Sequence, residues 1–262
     1  MKLENIFVIL LFLFCLVSLG CLILVFSAKK QCSDNHLFTP IQYSYIPQKA
    51  PSILWTFWFG PPMLQNRKKC FDSMKAIGLK HIHITPENID EYLKWPVHPA
   101  VKHLSGIHKS DYFRIYFLLH YGGGYSDIKP PIESWLPHLE KLNKDSNAWM
   151  CGVPETKNGI ASPPGYKLSK HYQKLICNCF FIARPQNPYL QRVHQKQNEI
   201  LDKHYENLIK HPPPNDRCCK HHENGYPLRW AEILGEIMAK EGLRFHKHFM
   251  KTMKMPTIKD YI

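Results

Sequence analysis

Two acids and an arginine sit where they can grip one small ligand. Asp111 and Arg114 lie three residues apart, ahead of an apolar and aromatic run, three glycines and a second acid, Asp127, with Lys129 two residues on. Residues three apart share a helix face, so one helix packed on a sheet can present Asp111 and Arg114 together. Ser110 is the expected N-cap of that helix. Gly122, Gly123 and Gly124 would end it and permit tight backbone geometry. Tyr125-Ser126-Asp127 then reads as a short strand that carries a carboxylate into the same pocket.

The elements that must hold these groups alternate between strand and helix, which predicts an α/β fold. Ser52 to Gly60 is an apolar run closed by Pro61 and Pro62, a buried first strand with a turn after it. Arg67 to Ile77 follows as a helix with Cys70 and Met74 on one side. His81 to Thr85 alternates as a second strand. His81 and His83 then point the same way; a metal pair is conceivable there, but solvated histidines are the commoner outcome. Pro86 opens a helical segment with acids in its first turn. Further strands are expected over Asn147–Pro154 and Leu175–Pro185, a mobile loop over Glu155–Lys167, and a long helix from Asn187 to about Ile209.

The chain has 262 residues, enough for a membrane anchor and one domain of about 200 residues. It is basic, with 34 Lys and Arg against 21 Asp and Glu. Such a balance favours phosphorylated substrates, anionic membranes or polyanions. No zinc-finger, helix-turn-helix or RNA-binding signature accompanies it, so nucleic acid is not expected as a partner. Residues 6–26 carry no charge and are long enough to span about 30 Å of hydrocarbon as a transmembrane helix. They exceed an ordinary signal-peptide core. The expected organisation is a tail (1–5), the transmembrane helix (6–26), a stem (27–50) interrupted by Pro40 and Pro47, and a globular body (51–262). Flanking lysines alone mildly favour a cytoplasmic body. His211, Cys218, Cys219, His221 and His222 cluster in sequence, at spacings that suit zinc poorly.

The segment Ser110-Asp111, Arg114, Tyr121-Gly122-Gly123, Asp127-Ile128-Lys129 resembles the sugar-nucleotide site of GT-A glycosyltransferases. The likeness is to the family with a sugar-binding region containing a DXD motif. That family takes in capsular-polysaccharide-synthesis proteins and the yeast initiating mannosyltransferase group. The first strand is also similar to the family's opening strand, with Trp58 at its tryptophan position and Trp55 in place of a histidine. The resemblance implies a GT-A, Rossmann-like domain behind the transmembrane helix. It implies transfer of a hexose from a UDP- or GDP-sugar to a glycan or glycolipid acceptor, with retention. A Golgi or ER lumenal body of type II topology also follows from it, against the lysine count.

The same resemblance distributes roles. Asp111 and Arg114 hold sugar hydroxyls, and Asp127 contacts the sugar or ribose and organises any metal. Trp58 offers a face to the base, or else is an ordinary core tryptophan. Tyr125 lies beside the acid. Asn178 reaches donor or acceptor, or merely marks a β-bulge. Arg229 neutralises a diphosphate, or is a surface arginine. The departure is Lys129, which stands where the family has its second acid. A protonated lysine cannot ligate a cation. Either its ammonium lies near the diphosphate in a metal-independent site, or Asp127 alone helps hold a weakly bound Mn²⁺ or Mg²⁺. Two other classes stay open: an inactive sugar-nucleotide or glycan binder, and a basic membrane-tethered polyanion binder.

Overall fold

The computed structural model describes residues 38–213 and 225–256. The apolar run 6–26 lies outside the described residues, as does the Cys218 to His222 part of the cysteine-histidine cluster. Among the described residues no helix is long and apolar enough to cross a membrane.

The elements alternate as the pattern predicts. They run β1 (Ile53–Phe57), α1 (Gln65–Ser73), β2 (Lys80–Ile84), α2 (Gly106–His120), β3 (Gly123–Ser126), α3 (Leu136–Lys144), β4 (Met150–Pro154), β5 (Ile176–Ala183), α4 (Pro188–Lys210), α5 (Gly235–Phe245) and β6 (Phe249–Met250), with short 3₁₀ turns between some of them. The strands form one mixed sheet of order β2-β1-β3-β5-β4-β6. β1 pairs in parallel with both β2 and β3, β5 runs antiparallel to β3 and β4, and β6 is parallel to β4. This α/β architecture fits a GT-A-like domain.

Alternation along the strands sends side chains to two cores. Trp55 and Phe57 of β1 enter the larger core with Phe181 and Ala183 of β5, while Leu54, Phe180 and Ile182 enter the smaller one. The period of two in an extended strand produces this division. Helix α2 sits in the larger core and is buried on nearly every side, from Tyr112 through Leu119. A helix covered all round needs no amphipathic stripe, and it can hold polar side chains only where they have partners.

The glycines after α2 are required by crowding. Gly122 has φ +73° and Gly123 φ +98°, in the left-handed region. A Cβ on Gly122 would stand 2.7 Å from Pro185 Cδ, and one on Gly123 would stand 2.7 Å from the Ile53 carbonyl oxygen. The chain can therefore turn from α2 into β3 only through residues without side chains.

Several local expectations are corrected. Ser105, not Ser110, caps α2, its hydroxyl accepting from His108 N at 3.3 Å, and Ser110 lies inside the helix. The expected helix after Pro86 is a 3₁₀ turn, Ile89–Tyr92, because Asn88 folds back, its side chain accepting from Thr85 N at 2.9 Å and donating to the His83 carbonyl at 2.9 Å. His81 and His83 do share a face but are half-buried, both bonded to the Thr56 hydroxyl at 2.9 and 2.8 Å and packed on Phe71. Burial lowers both imidazole pKa values, that of His83 to about 4. The expected stem packs on the body from Phe38 onward. Tyr43 bonds Gln191 and His120, and Ala50 bonds Asn143. The buried Arg184 donates to the carbonyls of Gln48, Leu142 and Ala148.

Candidate active site

A cavity of about 560 Å³ opens at the carboxyl ends of β1 and β3. Ligands in open α/β sheets bind beyond the carboxyl ends of their strands. Phe57 to Pro61 at the end of β1 and Asn66 and Arg67 at the start of α1 form one side. Asp111, Arg114, Tyr125 and Asp127 form the floor, and Asn178, Trp230 and Gly235 the other side. Helix α4 braces the floor against this far side: Gln197 Nε2 donates to the carbonyls of Asp111 at 3.0 Å and Ile233 at 2.8 Å. His108, at the start of α2, makes a similar tie through Tyr226 Oη, 2.9 Å away. Burial lowers the His108 pKa to about 4, so the ring is neutral near pH 7.

The sequence motif becomes a row of alternating charges. Arg114 Nη2 lies 2.9 Å from Asp111 Oδ1, across one helical turn. Its Nη1 donates to the Asn178 carbonyl at 2.7 Å and lies 3.6 Å from Asp127 Oδ1. The guanidinium also rests over the Tyr125 ring, 4.2 Å from its centroid. Tyr125 Oη donates to Asp127 Oδ1 at 2.7 Å. On the far side of that carboxylate, Lys129 Nζ lies 3.8 Å from Asp127 Oδ2. Asp127 reaches this position because its amide donates to the Cys179 carbonyl at 2.9 Å, just beyond the β3–β5 ladder.

Burial dominates the electrostatics of the floor. It pushes the Asp111 carboxyl up to about 7; the neighbouring Arg114 charge pulls it down and Asp127 pushes it further up. Burial opposes the Arg114 charge too, but Tyr125, Asp111 and Asp127 around it more than compensate and raise its pKa. Burial likewise raises the Tyr125 phenol well above its usual range, so it stays a donor.

Six of the eight residues proposed from sequence line this one cavity: Trp58, Asp111, Arg114, Tyr125, Asp127 and Asn178. Trp58 lines the cavity and also packs, partly buried, against the smaller core. It is partly exposed, and its indole N–H donates to the Pro61 carbonyl at 2.7 Å. Asn178 serves through its backbone oxygen, while its side-chain oxygen accepts from Cys179 Sγ at 3.1 Å.

Two residues take other places. Lys129 is buried behind Asp127, with its ammonium 5.2 Å from the Phe180 ring centroid, and does not line the cavity. Of the two readings of Lys129, this placement suits the one in which its ammonium points away from the phosphates. Arg229 also points elsewhere, because Glu236 at 2.6 Å and Glu232 at 3.2 Å hold its guanidinium. Its neighbour Trp230 lines the cavity instead, with nearly half its surface exposed. Arg67 and Trp230 escaped the sequence reading. Arg67 had a usable signal, since it opens the first helix after the first parallel strand, where such sheets bind ligands.

Asp127 contributes the only acid of the Asp-Xaa-Lys triplet, and both its oxygens already face cations, Arg114 and Lys129. Among the described residues no three His, Cys, Asp or Glu side chains come together as a metal set. Lys129 stands 3.8 Å from Asp127 where the family has its second acid, so a cation here would rest on one carboxylate together with substrate phosphates and water.

Residues 64–143 match the family model of a glycosyltransferase sugar-binding region containing DXD motif. The matched stretch holds Arg67, Asp111, Arg114, Tyr125, Asp127 and Lys129 and excludes Trp58, Asn178 and Arg229. The match names no subgroup of that family. No curated protein matches the chain. Residues 64–143 are thus similar to a glycosyltransferase sugar-binding region, and they contain Asp111, Arg114, Tyr125 and Asp127 of the cavity floor.

Proposed function

We propose that this chain is a glycosyltransferase that moves a hexose from a UDP- or GDP-sugar to a glycan or glycolipid acceptor, with retention. The observation behind this reading is the convergence of Asp111, Arg114 and Asp127 on one cavity floor, with a partly exposed indole, Trp58, at the rim. The base stacks on Trp58. The sugar hydroxyls donate to the Asp111 and Asp127 carboxylates, which Arg114 and Tyr125 hold in position. Prearranged dipoles of this kind lower the energy of charge developing in the transition state because they need no reorganisation. The donor binds without a protein-held metal. Residues 6–26 anchor the chain in a membrane with the body on the lumenal side of the Golgi or ER, as the family resemblance suggests.

A second reading has its own support. Lys129 neutralises Asp127 where the family motif carries an acid, which suits a protein that binds a sugar-nucleotide without turning it over. The test is to incubate the full chain, in detergent, with UDP- and GDP-sugars in Mn²⁺ and in EDTA, and to measure nucleotide release. Release from one donor, abolished by Asp111→Asn, establishes transfer or hydrolysis and names the sugar. Nucleotide binding without release from any donor, across a panel of glycan acceptors, favours the binder. Absence of nucleotide binding defeats both readings.

A further inference from the structure

We infer that Arg67 is the group that receives the diphosphate of the donor, in the role a divalent ion fills where the motif has two acids. This rests on the donor reading above and adds a residue and a chemistry to it.

Among the described residues, Arg67 and Arg114 are the two cationic side chains that line the cavity. Arg114 is committed to the floor, gripped by Asp111, the Asn178 carbonyl and Asp127. Arg67 is placed differently. Its Nη1 donates to the Ile128 carbonyl at 2.9 Å, at the residue directly after Asp127. Its guanidinium carbon is 5.9 Å from the centroid of the Trp58 ring. The side chain therefore bridges the aromatic rim and the acidic floor. A nucleoside diphosphate sugar with its base on Trp58 and its sugar at Asp111 and Asp127 has to lay its two phosphates across that interval.

The chemistry suits the position. A guanidinium carries five N–H donors in a planar fork, so it can serve a carbonyl and phosphate oxygens at once. Bidentate bonds to phosphate are among the stronger charge-assisted pairs. Lys129 does not compete for this role because it lies behind Asp127 and outside the cavity wall. Arg114 and Lys129 are each paired with the acids of the floor, at 2.9 Å from Asp111 and 3.8 Å from Asp127. Arg67 supplies the positive charge on the wall.

The test compares uridine, UMP and UDP, and the guanosine series in parallel, titrated into the full-length protein in detergent with EDTA present. Wild type should bind the nucleoside diphosphate more tightly than the nucleoside. Arg67→Gln should lose about 10- to 100-fold in diphosphate affinity, the scale of one or two bonds to a charged group, while nucleoside affinity stays unchanged. Arg67→Lys should recover part of the loss. Unchanged UDP and GDP affinity in Arg67→Gln would overturn the inference. So would wild-type diphosphate binding that appears only with Mn²⁺, since the metal would then carry the phosphates. A loss of nucleoside and diphosphate affinity alike would make Arg67 a support for Trp58 and also overturn it. Failure of wild type to bind any nucleotide would instead remove the donor reading, and this inference with it.

Discussion

Replacing Asp111 with asparagine should make the protein more stable at pH 8 and less able to recognise a sugar. Burial raises the Asp111 pKa from 3.8 to about 7, even with Arg114 at 2.9 Å. An acid whose folded pKa is raised binds more protons in the folded state, so stability falls as pH rises from about 4 through 7. The span from 3.8 to about 7 corresponds to about 4 kcal/mol of destabilisation at pH 8, at about 1.4 kcal/mol per tenfold change. At pH 4.5 the folded carboxyl is almost wholly protonated and the same linkage leaves about 1 kcal/mol. Asparagine keeps the shape and removes the charge at every pH. The assay is urea unfolding of wild type and Asp111→Asn at both pH values, by tryptophan fluorescence. The variant should gain about 4 kcal/mol at pH 8 and about 1 kcal/mol at pH 4.5, and it should lose donor turnover. A variant less stable than wild type at pH 8 would refute the reasoning, because the Asp111–Arg114 pair would then outweigh the cost of burying it.

Trp58→Ala should weaken UDP or GDP binding by about 10- to 100-fold, the scale of one stacked base; unchanged titrations would place the base elsewhere. Gly122→Ala should cost at least about 2 kcal/mol in denaturant unfolding, because it combines a left-handed residue with a Cβ 2.7 Å from Pro185. A neutral result there would mean that the β3 turn yields easily. Burial lowers His108 to about 4 and His194 to about 3. A histidine with a depressed folded pKa contributes stability above its unfolded value of about 6.5 and loses it as pH falls toward the folded pKa. Each should cost about 2 kcal/mol at pH 5, read in the Asp111→Asn background because Asp111 titrates with the opposite sign. A flat urea midpoint between pH 7 and 5 in that background would count against neutral buried rings.

Local periodicity carried much of the fold. The apolar run before Gly60 became β1, the polar-apolar alternation at His81 became β2, and the Asn187 helix runs to Lys210 from an Asn187 cap. The motif residues also met as their spacing implied, since i and i+3 on α2 and a strand after the glycines leave few other arrangements. What the pattern did not show was how side chains choose among their neighbours. The place of Lys129 is set by Phe180 and Asp127 together, and strand alternation alone does not show that its ammonium turns behind the acid. Arg229 was read apart from Glu232 in the turn and Glu236 in the first turn of α5, and those two acids hold it away from the cavity. Arg67 drew no notice because neither Ile128 nor Trp58 lies near it on the same element.

The strap of residues 38–50 fixes where this protein can be cut. A fragment starting at Pro51 looks natural from the sequence, since the first strand begins just beyond it. Such a fragment would discard the Gln48 carbonyl that Arg184 Nη1 bonds at 2.7 Å, the Ala50 backbone paired with Asn143, and the Tyr43 hydroxyl that meets His120. Arg184 is 3% exposed, so the lost acceptor would leave a buried charged donor short of a partner. A domain trimmed to its first strand would therefore express poorly for reasons unrelated to its active site, and a fragment begun at Phe38 keeps those contacts.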